Sequence, residues 1–185
     1  MRIVGGLFKG KKINFVNEKI TRPLRDLVKE SIFNILEHSN QIKVKIKTSA
    51  ILDLYSGIGS FGIECISRGA KEVYFVENNY KVMNVLKQNI MKLNIENRTN
   101  INFEKVENFI KNNQKKFDIL FLDPPFNDKL FKDNLNLIKE FKLLKKDHII
   151  IIHRESEVSE NLDAYINLLF IKKYGRSKIL FGTLI

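Results

Sequence analysis

Three short segments carry residues of types and spacings that could do chemistry together: Asp53 to Gly62, Glu77-Asn78, and Asp123-Pro124-Pro125-Phe126. In the first, Gly57, Gly59 and Gly62 let the backbone approach a ligand and take conformations other residues avoid. Glu77, twenty residues after Gly57, suits two ribose hydroxyls as their acceptor. G-x-G-x-x-G followed by such an acid is also the dinucleotide fingerprint, so the pattern alone leaves a nicotinamide dinucleotide and S-adenosylmethionine open. Asp53 favours the second, because a carboxylate there serves a methionine ammonium well and a pyrophosphate badly. Tyr55, Ser56 and Asn78 complete the expected cofactor set, and Tyr55 and Phe61 either line the pocket or pack.

Asp123-Pro124-Pro125-Phe126 directly follows the apolar run 117–122, which places it at the same sheet edge as Asp53, Gly57 and Glu77. An exocyclic amine on a base is a weak nucleophile because its lone pair is delocalised into the ring. Acceptors for its two hydrogens draw it toward sp³ geometry and stabilise the positive charge that develops on nitrogen. Asp123 offers a carboxylate and Pro124 a carbonyl. Phe126 can stack on the base and fix its angle of approach. Pro124 and Pro125 stiffen the loop and have no N–H to compete for the carboxylate.

The elements that must position these residues read as alternating strands and helices. Strands are expected at 50–54, 73–76, 101–103, 117–122 and 148–152, and helices at about 60–68, 79–93 and 128–142. A closing antiparallel hairpin spans roughly 165–174 and 177–184 around Gly175. This order predicts an α/β fold: a doubly wound, mostly parallel, seven-stranded sheet of Rossmann-like type. Ahead of it, residues 2–4 and 12–15 around Gly5 to Gly10 read as a small β-hairpin. Residues 23–38 read as an amphipathic helix with Leu24, Leu27, Val28, Ile32, Ile35 and Leu36 inward and Arg22, Arg25, Asp26, Lys29 and Glu30 exposed. The chain thus divides into a basic extension, 1–47, and a catalytic core, 48–185, within one domain.

Composition bounds the partners. Of the net charge of +11, residues 1–47 carry +7, from eleven Lys/Arg against four Asp/Glu. Such a concentrated basic segment suits a polyanion, since each neutralised phosphate releases condensed counterions. Arg22 and Arg25 are candidate phosphate contacts. Cys65 stands alone, which excludes an intrachain disulfide and points to a reducing, cytoplasmic setting. His38, His148 and His153 are too scattered for a metal site, and His148 and His153 read as structural. Cys65 is expected to be a buried small residue rather than a nucleophile. No apolar run is long enough for a transmembrane helix, and the first residues do not read as a signal peptide. Nothing in the sequence calls for an obligate dimer, so a monomer is expected.

Taken together, the Asp53–Gly62 turn and a [DN]-P-P-[FY] motif resemble the class I methyltransferases that act on amino groups. More narrowly, nearly the whole chain resembles the RsmD-type family, the 16S ribosomal RNA guanine-N2 methyltransferases. The match runs through Arg2-Ile3-Val4-Gly5-Gly6 and Gly10-Lys11-Lys12; through Arg22, Pro23, Asp26, Val28, Lys29, Glu30, Phe33 and Asn34; and through Asp53 to Gly69, with Glu64, Ser67 and Arg68. Val76-Glu77-Asn78, Asp123 to Phe126 and Tyr174-Gly175 complete it. The resemblance implies S-adenosylmethionine as cofactor, 16S ribosomal RNA or the assembling small subunit as partner, and a guanine amino group as target. It also implies an RNA clasp from the N-terminal extension, with Arg2, Lys9, Lys11, Lys12, Arg22 and Arg25. One departure concerns the acidic residue the family uses for the adenine amino group. Lys105 stands there, with Glu104 and Glu107 nearby, and a backbone group near Val106 is the replacement. Alternative readings are amino methylation of adenine in DNA or RNA or of a protein glutamine, a dehydrogenase, and a non-catalytic RNA-binding protein. The dehydrogenase would need an acid–base pair at the sheet edge, and none is expected there.

Overall fold

The structure is a computed structural model that describes residues 1–16, 24–125, 128 and 130–185. Its centre is β1 (Ala50–Leu54), whose five residues are all buried. A strand buried on both faces must be nearly all apolar, and Ala-Ile-Leu-Asp-Leu departs from that at one position, Asp53. On one side of β1 lie β2 (Glu72–Glu77) and β3 (Thr99–Phe103); on the other lie β4 (Phe117–Leu122) and β5 (Leu144–Glu155). The first five strands run parallel. β7 (Ser177–Leu184) pairs antiparallel with β5, and β6 (Ile166–Tyr174) closes the edge, in the order β3-β2-β1-β4-β5-β7-β6. The expected seven-stranded, mostly parallel sheet is present. Strand order reverses between β1 and β4, and ligands in such sheets bind outside the carboxyl ends at that reversal.

Two apolar layers cover the sheet. On one face α1 (Asp26–His38), α2 (Ser60–Ser67) and α3 (Tyr80–Leu93) meet Ile51, Phe75, Phe121 and Ile151. On the other, α4 (Val106–Asn112) and α5 (Phe131–Glu140) meet Leu52, Leu54, Leu120 and Ile150. Local chemistry sets the ends. The Asn79 side chain accepts the Lys81 and Val82 N–H groups to start α3, and Asn94 in the left-handed region ends it.

Several expectations need correction. The expected N-terminal hairpin is present but short: around the antiparallel bridge of Arg2 with Lys12, the Ile3, Gly10 and Ile13 N–H groups donate to the Lys11, Ile3 and Met1 carbonyls, while the Val4, Gly5, Leu7 and Phe8 N–H groups go to α2. The first helix begins at Asp26 rather than at 23. Its buried stripe is Val28, Lys29, Ile32, Phe33 and Leu36, so Leu27 is exposed and Lys29 is buried. Lys29 goes inward because Glu64 inside the protein needs a cation. α5 spans 131–140 rather than 128–142. β5 extends past 148–152 at both ends, its polar ends pairing with β4 and β7. α4 was not anticipated; seven residues with three buried positions make too short a pattern to read.

Candidate active site

Register aligns the candidate residues. Leu54 pairs with Val76 on one side and Leu122 on the other, and Leu122 pairs with Ile152. The next residue on each strand is therefore Glu77, Tyr55, Asp123 and His153, one row across β2, β1, β4 and β5. Neighbours in such a row are separated by one interstrand spacing, about 4.8 Å. The sequence brought three of these four forward; the fourth, His153, was read as structural.

Asp53 lies two residues inside that row on β1, on the face covered by α2. It is 1% exposed. Its Oδ2 accepts the Gly62 N–H at 3.0 Å. Its Oδ1 has no partner, nor do the buried hydroxyls of Ser56 and Ser60, the unpaired buried side-chain atoms among the described residues. An unmet buried polar group costs about 1–3 kcal/mol. Three of them at a single strand–helix turn fit a ligand that brings its own hydrogen-bonding groups. Burial pushes the Asp53 carboxyl well above the usual carboxylate range, and the charges of Asp123 and Glu77 push the same way against the Gly62 N–H. A cationic amine is the kind of group that would reverse that balance.

The glycines serve different ends. Gly57 has φ +56° and open space where a Cβ would point. Its N–H donates to Glu77 Oε2 at 2.9 Å, while Glu77 Oε1 accepts the Asn78 and Asn79 N–H groups at 2.9 and 2.8 Å. These bonds fix the carboxylate as the resemblance implies for a ribose acceptor, with Asn78 contributing through its backbone. Gly62 answers to packing instead: a Cβ there would lie 2.3 Å from the Phe75 ring. Gly59 also faces inward, toward Leu86. Beside Glu77 the exposed rings of Tyr80 and Phe103 meet edge to face at 6.1 Å, an aromatic pair the sequence reading passed over. Val106 opens α4 as a buried residue, and Lys105 before it is exposed.

Tyr55 takes φ +58° and its hydroxyl accepts the Asn134 amide at 2.8 Å. Burial, and then the Asp128 carboxylate, push its phenol upward, so it is a neutral hydroxyl at any physiological pH. Phe61 packs, stacked between Phe33 and Phe121. Cys65 is buried, and burial pushes its thiol well up.

Asp123 sits just past β4, its side chain 23% exposed, with Oδ1 2.9 Å from His153 Nδ1. His153 Nε2 lies 2.9 Å from Ser177 Oγ. The expectation of no acid–base pair at the sheet edge is thereby overturned; the two residues are thirty apart in sequence and meet through the β4–β5 register. Arg154, 2% exposed, donates from one guanidinium nitrogen to the Pro125 carbonyl at 3.0 Å and the Pro124 carbonyl at 3.4 Å. It also pairs with Glu160 and lies over the Phe131 ring at 4.4 Å. Nothing in the sequence singled it out. Phe126 lies outside the described residues, as does Arg22.

The other basic candidates do not converge on this edge. Gly5 to Phe8 dock on the C-terminal end of α2, through Glu64, Ser67 and the Ser67 carbonyl, whereas the glycine turn is at its N-terminal end. Lys9, Lys11 and Lys12 extend from that docked segment. Arg2 is paired with Asp26 at 3.1 Å, and Arg25 is exposed just before α1.

Comparison with known proteins meets this geometry. The family model described as conserved hypothetical protein 95 matches residues 1–183. The chain belongs to this family. It is 33% identical over 179 residues to ribosomal RNA small subunit methyltransferase D of Buchnera aphidicola (subsp. Baizongia pistaciae), covering 97% of this chain and 88% of the relative. The protein of the same name from Haemophilus influenzae is 37% identical over 161 residues, 85% of this chain and 80% of its own. A solved structure of the Escherichia coli protein yhhF superposes with a TM-score of 0.83 at 26% identity, covering 100% of this chain and 97% of that one. The fold is that of the class I methyltransferases, and family membership removes the dehydrogenase reading. No helix among the described residues is long and apolar enough to cross a membrane.

Proposed function

We propose that this protein transfers a methyl group from S-adenosylmethionine to the exocyclic N2 amino group of a guanine in 16S ribosomal RNA. The single observation that carries the reading is the row at the carboxyl edge, with Asp123 two strands from Glu77 and beside the buried, half-unpaired Asp53. The names of the relatives supply small-subunit ribosomal RNA as substrate; guanine and its N2 come from the family resemblance.

When bound, S-adenosylmethionine supplies the methyl group as an electrophile. Asp53, Tyr55, Ser56 and the backbone of the Gly57–Gly59 turn would hold its amino-acid end, with Asp53 for the ammonium, and Gly62 would serve by bringing the start of α2 close and donating its N–H to Asp53. Glu77 and Asn78 would hold its ribose, and the Val106 backbone would meet its adenine in place of the acid absent at Lys105. Asp123 has one oxygen committed to His153 and the other free to accept an amine hydrogen. Pro124 offers its carbonyl as the second acceptor, since the Arg154 contact to it is long and a carbonyl has two lone pairs. Both acceptors stabilise positive charge on the attacking nitrogen. Pro125 stiffens the loop, and Phe126 is assigned to stack on the base. Arg2, Lys9, Lys11, Lys12, Arg22 and Arg25 bind phosphates of the RNA, and the active unit is a cytoplasmic monomer.

The test is to incubate the protein with methyl-labelled S-adenosylmethionine and small ribosomal subunits, or their RNA, from a strain lacking the modification, and to identify the labelled nucleoside. N2-methylguanosine is expected. Label confined to adenine, DNA or protein would reject the reading. Asp123→Ala should lower the rate about 10²–10³-fold with cofactor affinity kept, the scale seen when one charge-stabilising group is removed.

A further inference from the structure

We infer that His153 is the positioning residue for Asp123, held in one tautomer by Ser177. The inference rests on the assignment of Asp123 to the target amine, and adds a part of the machinery that assignment does not contain.

The imidazole is 3% exposed and has partners at equal distances on its two nitrogens: Asp123 Oδ1 on Nδ1 and Ser177 Oγ on Nε2, both 2.9 Å. A carboxylate only accepts, so Nδ1 carries the proton toward Asp123. A neutral ring then has a lone pair on Nε2, and the Ser177 hydroxyl donates to it. Which ring nitrogen is protonated is set in this way by the bond the other makes. Each participant is held in turn. Ser177 opens β7 and pairs in register with Glu155 and Tyr174, so its hydroxyl cannot drift from the ring. His153 pairs in register with Ile179 on the same strand.

The effect on Asp123 is geometric. Beyond the end of β4, a short carboxylate could rotate about both its side-chain bonds. The bond to Nδ1 removes that freedom and commits Oδ1, leaving Oδ2 of a partly exposed side chain for the arriving amine. A misplacement of about 1 Å in such a group costs about 10²-fold in rate. Arg154, the next residue, does the corresponding work on the other face of β5 by fixing the carbonyls of Pro124 and Pro125. Two adjacent residues of one strand thus hold the side chain and the backbone of the same loop.

Two readouts test this on the full-length protein. Long-range proton–nitrogen NMR of the imidazoles, with His38→Gln and His148→Gln used for assignment, should show His153 protonated at Nδ1, and Ser177→Ala should shift the ring toward the Nε2 tautomer. Kinetics on small-subunit RNA should show His153→Leu lowering kcat about 10–100-fold, with KM for RNA and cofactor Kd within about threefold. His153→Asn, whose amide nitrogen falls near the position of Nδ1, should recover most of that loss. A wild-type ring protonated at Nε2 alone, or a His153→Leu enzyme with unchanged kcat, would overturn the inference. Equal losses in Leu and Asn variants together with weakened cofactor binding would also do so, since they indicate structural support only. If wild-type enzyme methylates no RNA, the functional proposal fails while the tautomer measurement still decides the geometry.

Discussion

The two fully buried acids of the α2 region, Asp53 and Glu64, make an instructive pair. They stand eleven residues apart and both are essentially without solvent contact. Glu64 is saturated: it accepts the Val4 and Gly5 N–H groups at 2.9 and 2.7 Å and Arg68 Nε at 3.0 Å, and Lys29 Nζ lies 3.8 Å away. Lys29 in turn donates to the Arg2 carbonyl at 2.6 Å. Asp53 has one N–H and the repulsion of two other acids. Burial is the same; satisfaction differs. Glu64 binds the N-terminal extension to the core, whereas Asp53 holds capacity for a group the chain itself does not provide.

That contrast can be broken at either acid. Glu64→Ala should destabilise the protein by about 3–5 kcal/mol, because the buried Lys29 keeps only the Asp26 carboxylate, 3.9 Å away, and the buried Val4 and Gly5 N–H groups lose their acceptor. Urea titration would measure it, and a loss below about 1 kcal/mol would remove the distinction between the two acids. Asp53→Asn should act with the opposite sign on stability. The folded-state pKa of Asp53 lies above its unfolded value, so the protonated carboxyl favours folding and its ionisation opposes it; that contribution is full below the unfolded-state pKa and is lost as pH rises through the raised folded-state pKa. At neutral pH the neutral amide should therefore raise Tm by a few degrees, on the usual scale for a domain of this size, while cofactor affinity falls about tenfold. Wild-type affinity should weaken on acidification beginning at higher pH than an ordinary carboxylate would cause. Calorimetry across pH checks both; an Asn variant that is less stable and binds normally would make Asp53 a second Glu64. The smallest effect is expected at the surface. Lys9→Ala and Arg25→Ala should each weaken RNA binding modestly and lower its salt slope by about one, as expected for the loss of a phosphate contact.

The sequence reached the strands well because a parallel sheet covered on both faces needs continuous apolar runs, and those are visible at 50–54, 117–122 and 149–152. Asp53 stood out because it interrupts such a run, and Asp123 because it ends one. What stayed hidden depended on register or on helix phase. His153 and Arg154 acquire meaning when β5 is laid beside β4, and no spacing within the chain encodes that alignment. Lys29 looked exposed because charge is a good guide to exposure until an interior acid needs a partner. The N-terminal hairpin stays short for a related reason. Gly5 is pressed so closely on Arg68 that a Cβ would overlap the guanidinium, and the backbone groups that would have extended a ladder serve α2 instead.

The row of Glu77, Tyr55, Asp123 and His153 also acts as a scale of length. Glu77 and Asp123 are two interstrand steps apart, about 10 Å, and that interval is set by backbone hydrogen bonding that no side-chain motion can alter. A ligand engaging both carboxylates must span it, so the sheet discriminates by reach before any individual contact discriminates by chemistry. Evolution at this edge can exchange the groups at the graduations, but the interval between them comes with the fold.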